Sequence, residues 1–478
     1  MEKKLTKKYG LLTAIAMVVG IVVGSGVFFK AQNILNATDG DMPLGILAWL
    51  IGGAVMIVCA YCFAAMATKY EKVNGLVDYA EAACGKKYAY MTGWFMTVIY
   101  YPCITSVLAW LSARYTLEVF GMMEPTSGTC LALAGLYLCA VYAMNALSPV
   151  IAGKFQVSAT VIKLIPLSLM AVAGTIYGLI VKPDGASQAL LIQNFATAKG
   201  GNTDILFGSV VATAFAYEGW IVATAINAEL KDAKKNLPRA LTLGTAIVMC
   251  VYIAYYIGVA GGATVETLRN DGATTAFTNI FGSVLGTVLK VFVAISCLGT
   301  LNGLMLGCTR GIYSLAARNE GPNPKVFSEL DPTTNMPTNS AIVGLLLCAA
   351  WLFYFFAANL ASLFVANYDA STANGLVKLI GTLNTETNTI SVNWFGFDSS
   401  EIPIVTLYAM YIPIFFKMMK FKEFSPFKRI VMPIFAIIGS VFMVFAAFYA
   451  HRWGVAFYLI VFAVIMLLGR ALMTPKEK

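Results

Sequence analysis

Residues 20–28 read GIVVGSGVF and residues 215–220 read FAYEGW. Each string interrupts an apolar run long enough to cross a bilayer with residues that do not suit a helix interior. Gly20, Gly24, Ser25 and Gly26 loosen the first run, and Glu218 and Gly219 stand near the middle of the second. Glycine costs about 1 kcal/mol against alanine inside a helix. A charge at bilayer depth is expensive unless it faces water or a partner. Gly20 and Gly24 also form a G-x-x-x-G, which by itself suits close helix packing. Two spans broken in corresponding places, however, are the sequence pointer to a transporter built from inverted repeats, with its site at the breaks.

The surrounding chain agrees. Of 478 residues 59% are hydrophobic and 12% charged, and the mean hydropathy is +0.75, so lipid rather than water is the solvent for most of the molecule. The expected spans are 10–36, 43–68, 88–116, 129–147, 155–181, 204–228, 238–262, 282–309, 339–358, 400–418, 429–449 and 453–471. The fold class is therefore an all-α polytopic membrane protein of about twelve helices in one transmembrane domain. The segment 359–399 is too polar to span and reads as an external excursion. The basic start, Lys3 to Lys8, leads into an apolar run longer than a signal sequence needs, which reads as a retained first helix.

The net charge of +9 lies in clusters between spans rather than along one face, which argues topology and not nucleic acid. Lys69, Lys72, Lys86, Lys87, Lys154, Lys231, Lys234, Lys235, Arg239, Arg310, Arg318 and the cluster Lys417 to Arg429 all fall in alternate gaps. The positive-inside rule then puts both termini in the cytoplasm and the protein in the cytoplasmic membrane. One histidine, His451, is assigned to a short loop, so His-based metal sites and catalytic triads lack material; no metal, no cofactor and no enzymatic activity are expected. Cys59 and Cys62, mid-span, read as small core side chains rather than a redox pair.

A zwitterion at the bilayer midplane needs its carboxylate and ammonium solvated without opposite protein charges buried permanently. Broken helices supply this. Unwinding at Gly24, Ser25 and Gly26 would free N–H groups and a positive dipole end for a carboxylate. Unwinding at Phe215, Ala216 and Tyr217 would free carbonyls for an ammonium. Glu218 has three readings: contact with a cationic substrate, a proton carrier, or a side chain turned to a polar neighbour. Lys163, alone in TVIKLIPL, is too deep to snorkel easily and reads as a cation inside the bundle. Tyr100, Tyr101 and Pro102 are candidates for the pocket wall.

These strings resemble the amino acid–polyamine–organocation superfamily, in its L-amino-acid-transporter branch with the bacterial serine/threonine exchangers. GIVVGSGVF is similar to the helix-1 signature, and FAYEGWIVATAINAELKDAKKNLPRAL (215–241) to helix 6 and its loop. NGLVDYAEAACGKKYAYMTGW (74–94) is similar to the loop between helices 2 and 3, and Arg310 through Arg318 to Pro324 to the end of helix 8. The resemblance covers about 10–345 well. It implies a five-plus-five inverted repeat (10–181 and 204–418) with two appended helices (429–471). It also implies substrate contacts at Ile21, Gly24, Ser25, Gly26, Phe215, Ala216, Tyr217, Glu218 and Gly219, and Lys163 matches the helix-5 lysine that in many relatives occupies the place of a sodium ion near helix 1.

The expected function is sodium-independent amino-acid transport by alternating access, for small or medium neutral L-amino acids, by exchange or with a proton as coupling ion. A cationic amino acid or polyamine antiporter is the near alternative, and a non-transporting sensor or channel the remote one. Two departures from the branch stand out: Glu218 occupies a place usually held by a small or weakly polar residue, and 359–399 is unusually long. The loop near 117–128 has no cysteine, so no heavy-chain partner is implied.

Overall fold

The computed structural model describes residues 10–24, 26–70, 75–122, 124–183, 185–196, 203–221, 230–384 and 387–473. Ser25, Lys72, most of the second half of the sixth expected span (222–228) and both extreme termini therefore lie outside the described residues. The main helices are α1 (Leu11–Val22), α2 (Gly26–Ala37), α3 (Met42–Ala67), α4 (Lys86–Val119), α5 (Gly128–Leu147), α6 (Val150–Ile180), α7 (Thr203–Ala216), α8 (Ala233–Gly262), α9 (Ala273–Ala316), α10 (Thr338–Leu360), α11 (Ile402–Met418), α12 (Phe427–His451) and α13 (Trp453–Ala471). Among the described residues nine helices are long and apolar enough to cross a membrane, and Leu11–Gly20, Ile205–Ala216 and Ile402–Met418 are shorter apolar helices. These are the twelve spans expected, with the first broken after Val22 and the sixth after Ala216.

Burial grades the helices from centre to edge. The apolar window of α4 is 89% buried and that of α13 only 17%, so α4 is central while α13 lies at the edge of the bundle. Around the broken pair α1/α2 and α7 stand α3, α4, α8 and α9, packed through small residues. A Cβ on Gly258 would meet Met170 O at 2.1 Å, and one on Gly261 would meet Gly174 O at 2.0 Å, so α6 and α8 touch backbone to backbone. Cys59 and Cys62 are fully buried in this core, as their small-side-chain reading requires.

Two sequence expectations change in detail. The eighth span starts at 282 as expected: Gly282, whose φ of +78° only glycine adopts readily, separates it from a preceding helical stretch at 273–281. The external excursion is folded: β1 (Val365–Asp369), β2 (Thr382–Asn384) and β3 (Thr389–Asn393) pair antiparallel in the order β1-β3-β2, over a small core of Val377, Ile390 and Val392. Trp453 Nε1 donates to Trp394 O at 3.0 Å, which ties this sheet region to the start of α13. His451 is not in a loop. It is the last residue of α12 and sits between elements rather than at the periphery.

Candidate functional site

The break after Val22 and the break after Ala216 face each other because glycine lets their backbones meet. A Cβ on Gly26 would stand 2.7 Å from Ala216 Cα and 3.2 Å from Phe215 O, closer than any larger residue allows. The sixth-span break falls later than expected: the helix continues through Ala216 and turns at 217–221, with Gly219 at φ +106°. Between the breaks lies a cavity of about 470 Å³, the size of a small-molecule site. Val22, Gly24, Gly26, Phe215, Ala216, Glu218, Gly219 and Lys163 all line it. Tyr217 does not. Its ring packs against Trp49 and Tyr252 and its hydroxyl donates to Trp49 O at 2.9 Å, so it is a structural side chain of the break. Ile21 is the penultimate residue of α1, and its side chain lies outside what the structure describes.

Two protein groups serve the loose helix ends. Lys163 of α6, 2% exposed, donates from Nζ to Gly20 O, placing the lysine nitrogen at the carbonyl end of α1, where the helix dipole favours positive charge. The hydroxyl of Tyr252, on α8, lies 3.0 Å from both Val22 O and Ala216 O, bridging the last carbonyls of the two broken helices. Nothing in the sequence separates Tyr252 from its neighbours Tyr255 and Tyr256; only the fold does.

Helix α4 supplies the wall. Pro102 has no N–H to give Val98 O, and Trp351 Nε1 takes that carbonyl at 2.9 Å. The turn before it, Met96–Tyr100, is wound as a π-helix, a feature that often re-aims side chains at functional sites. Tyr100 thereby donates to Glu218 Oε1, and Tyr101 lines the cavity. Glu218 is partly open to the cavity, leaving acceptor capacity beyond that bond.

The cavity leads toward the end of the bundle that carries the basic loops, hereafter the basic end, where Gly75, Leu76, Val77, Arg310, Ser314 and Arg318 line it. Arg318 there pairs with Asp78, and with Glu81 at 3.0 Å. The far end is roofed. Phe29 stacks edge-on to Trp110 and to Phe215, with centroids 5.9 and 6.4 Å apart, and Lys30 Nζ lies over both Phe29 and Phe215, at 5.2 and 5.3 Å. Lys30, 1% exposed, pairs with Glu401 at 2.5 Å. A lone lysine inside the first expected span was a readable signal; its partner 371 residues away was not.

Comparison with known proteins agrees with this geometry. The amino acid permease family model matches residues 9–469. The serine/threonine exchanger SteT of Bacillus subtilis (strain 168) is 31% identical over 340 residues, 70% of this chain and 74% of the relative. The large neutral amino acids transporter small subunit 2 of Homo sapiens is 26% identical over 68% of this chain and 60% of its own length, so the match takes in less than two thirds of that relative. The cystine/glutamate transporter of Homo sapiens is 25% identical over 71% of this chain and 66% of its own length. With almost its whole length matched by the family model and its two broken helices meeting at a central cavity, the chain belongs to the amino acid permease family.

Proposed function

We propose that this protein carries small or medium neutral L-amino acids across a cytoplasmic membrane by alternating access, without sodium and by exchange. In this reading the basic end is cytoplasmic, both termini are inside, and 10–181 and 204–418 are inverted repeats with 429–471 appended. The substrate carboxylate takes the N–H groups opening α2 at Gly26, and its ammonium takes carbonyls ending α7, Ala216 first. Lys163 supplies permanently the positive charge that a bound cation would otherwise bring to α1.

The observation that carries this reading is the meeting of the two breaks, Gly26 against Ala216, with the α1 carbonyl end already held by an ammonium. A fixed cation leaves no ion gradient to couple to at that place, which favours swapping one amino acid for another. The relative named as a serine/threonine exchanger works in the same sense. Purified protein in liposomes, given labelled amino acids with and without unlabelled amino acid inside, tests it. Uptake that requires internal amino acid supports exchange; uptake into empty liposomes that rises with an inward proton gradient replaces it with proton symport.

A second reading rests on Glu218. A carboxylate facing the cavity suits a cationic side chain, and the same panel of substrates distinguishes it: lysine, arginine or polyamine uptake in preference to serine, threonine or alanine selects the cationic carrier.

A further inference from the structure

The far end of the cavity is closed by more than aromatic rings. Lys30 Nζ of α2 bonds Glu401 Oε1 and, at 3.1 Å, Ser400 Oγ. The second carboxylate oxygen, Glu401 Oε2, lies 3.0 Å from His451 Nε2 at the end of α12. Asp398 Oδ1 accepts from Ser400 N and Oγ and from Glu401 N, at 2.7, 2.6 and 3.0 Å, and so fixes the turn that presents Glu401. Three elements are thus joined: α2, which follows the first break, the entry to α11, and the end of α12. Asp398, Glu401 and His451 bring potential ligand atoms within 4.8 Å of one another, and the cation beside this cluster is Lys30, bonded to Glu401 alone of the three.

We propose that Lys30, Glu401 and His451 form a latch that keeps the far end of the cavity shut, and that its parting is what opens the substrate site to that side. The inference rests on the reading of the cavity as a transport site. Its physical basis is that an ion pair with Lys30 1% and Glu401 6% exposed is held only while both partners are present, because removing one leaves an uncompensated buried charge. Opening the far end would let water reach both groups, so a variant lacking one partner favours the open form. Lys30 is positioned for this because it covers Phe215 at the sixth-span break and Phe29 of the roof at once. A purely structural ion pair at a helix edge would bridge no gate.

The three partners are not equivalent. Losing Glu401 leaves Lys30 without a countercharge. Losing Lys30 leaves Glu401 with His451, which can take up a proton and serve as the remaining cation. The charged and titratable groups facing His451 are Glu401 and Asp398 from the turn before α11 and Lys30 from α2. Replacing Lys30 therefore leaves His451 as the one remaining cation that can compensate Glu401, and closure becomes dependent on the pH at the far face.

The test is sided labelling of a reporter cysteine in the cavity wall, Thr300→Cys, in a full-length chain whose native cysteines have been replaced, in membranes of known orientation and with no amino acid present. The probe is a membrane-impermeant, positively charged methanethiosulfonate reagent. We expect Glu401→Gln to raise far-side labelling about tenfold while labelling from the basic end falls. Lys30→Met should show a smaller rise that grows as far-side pH goes from about 6 to about 8, where the parent is flat. Unchanged far-side labelling in Glu401→Gln, a rise from both ends together, or a pH-independent Lys30→Met would overturn the proposal. Because the readout needs no substrate, failed uptake with correct labelling would count against the transport reading and not against the latch.

Discussion

Replacing Gly26 with alanine should nearly abolish transport while leaving the protein folded, and the reason can be worked from one distance. The new Cβ would lie 2.7 Å from Ala216 Cα, whereas carbon atoms rest at roughly 3.8 Å, so α2 and α7 must part by about 1 Å. Forcing a methyl into a packed contact costs about 1–3 kcal/mol, tolerable for a chain this size. A displacement of about 1 Å in groups that must meet one substrate together costs roughly 100-fold in rate. Uptake in proteoliposomes should therefore fall to about one part in a hundred, with the thermal unfolding midpoint lowered only slightly. Gly20→Ala is the control, since its Cβ meets only the Thr160 methyl, at 2.6 Å. Pairing Gly20→Ala with Thr160→Ser removes that methyl and should recover most uptake. No such trimming helps Gly26→Ala, because its obstacle is main chain. Near-normal uptake by Gly26→Ala, or its recovery by Ala216→Gly, would refute the close-approach argument.

Tyr252→Phe deletes the hydroxyl shared by Val22 O and Ala216 O; a lost hydrogen bond of about 1 kcal/mol should lower kcat/KM for uptake roughly fivefold with little change in thermal stability. Glu218→Gln keeps an acceptor for Tyr100 but removes the charge, so a neutral-substrate carrier should retain most uptake, while a cationic one should lose it; competition between labelled serine and unlabelled arginine separates the two. Arg318→Gln takes the guanidinium away from Asp78 and Glu81 and should destabilise the protein by roughly 1–3 kcal/mol. Adding Asp78→Asn should restore part of that loss in a thermal-unfolding cycle, whereas two independent sites would simply add.

What could be read from the sequence followed from how local each signal was. Spans of twenty apolar residues announce themselves, and Gly24, Gly26 and Glu218 stand out because each violates the rule its surroundings obey. Lys163 was legible for the same reason, as a lone charge in an apolar run. Tyr252 was not, because a tyrosine among tyrosines in VYIAYYIG violates nothing and its role depends on two carbonyls from other helices. Tyr217 shows what the sequence leaves open: the break named its carbonyl, while the destination of its ring, in the core against Trp49, is decided only by the fold. The sheet between α10 and α11 was hidden because its register depends on pairings across an intervening helix, Gly375–Ile380, although the alternation in TISVN is visible afterwards. Glu401 and His451 are ordinary residues until the fold brings Lys30 to them.

The Tyr252 hydroxyl also constrains how a substrate can bind. It carries one proton and faces two carbonyls at equal distance, so it can fully satisfy only one of them at a time. In the empty cavity the proton is shared between Val22 O and Ala216 O. In the proposed reading an arriving α-ammonium, with protons to spare, takes Ala216 O outright, which lets the hydroxyl turn wholly to Val22 O. Binding then improves the hydrogen bonding of both broken helices rather than merely replacing one partner with another. Lys163 is already committed to Gly20 O, two residues earlier in α1, so in the proposed reading substrate arrival demands no rearrangement there. Gly20 O and Val22 O at the end of α1 are thus served by the protein, and in the proposed reading the end of α7 is served partly by the substrate. On that reading, occupancy of the α7 break is the event that α2 and α7 sense together.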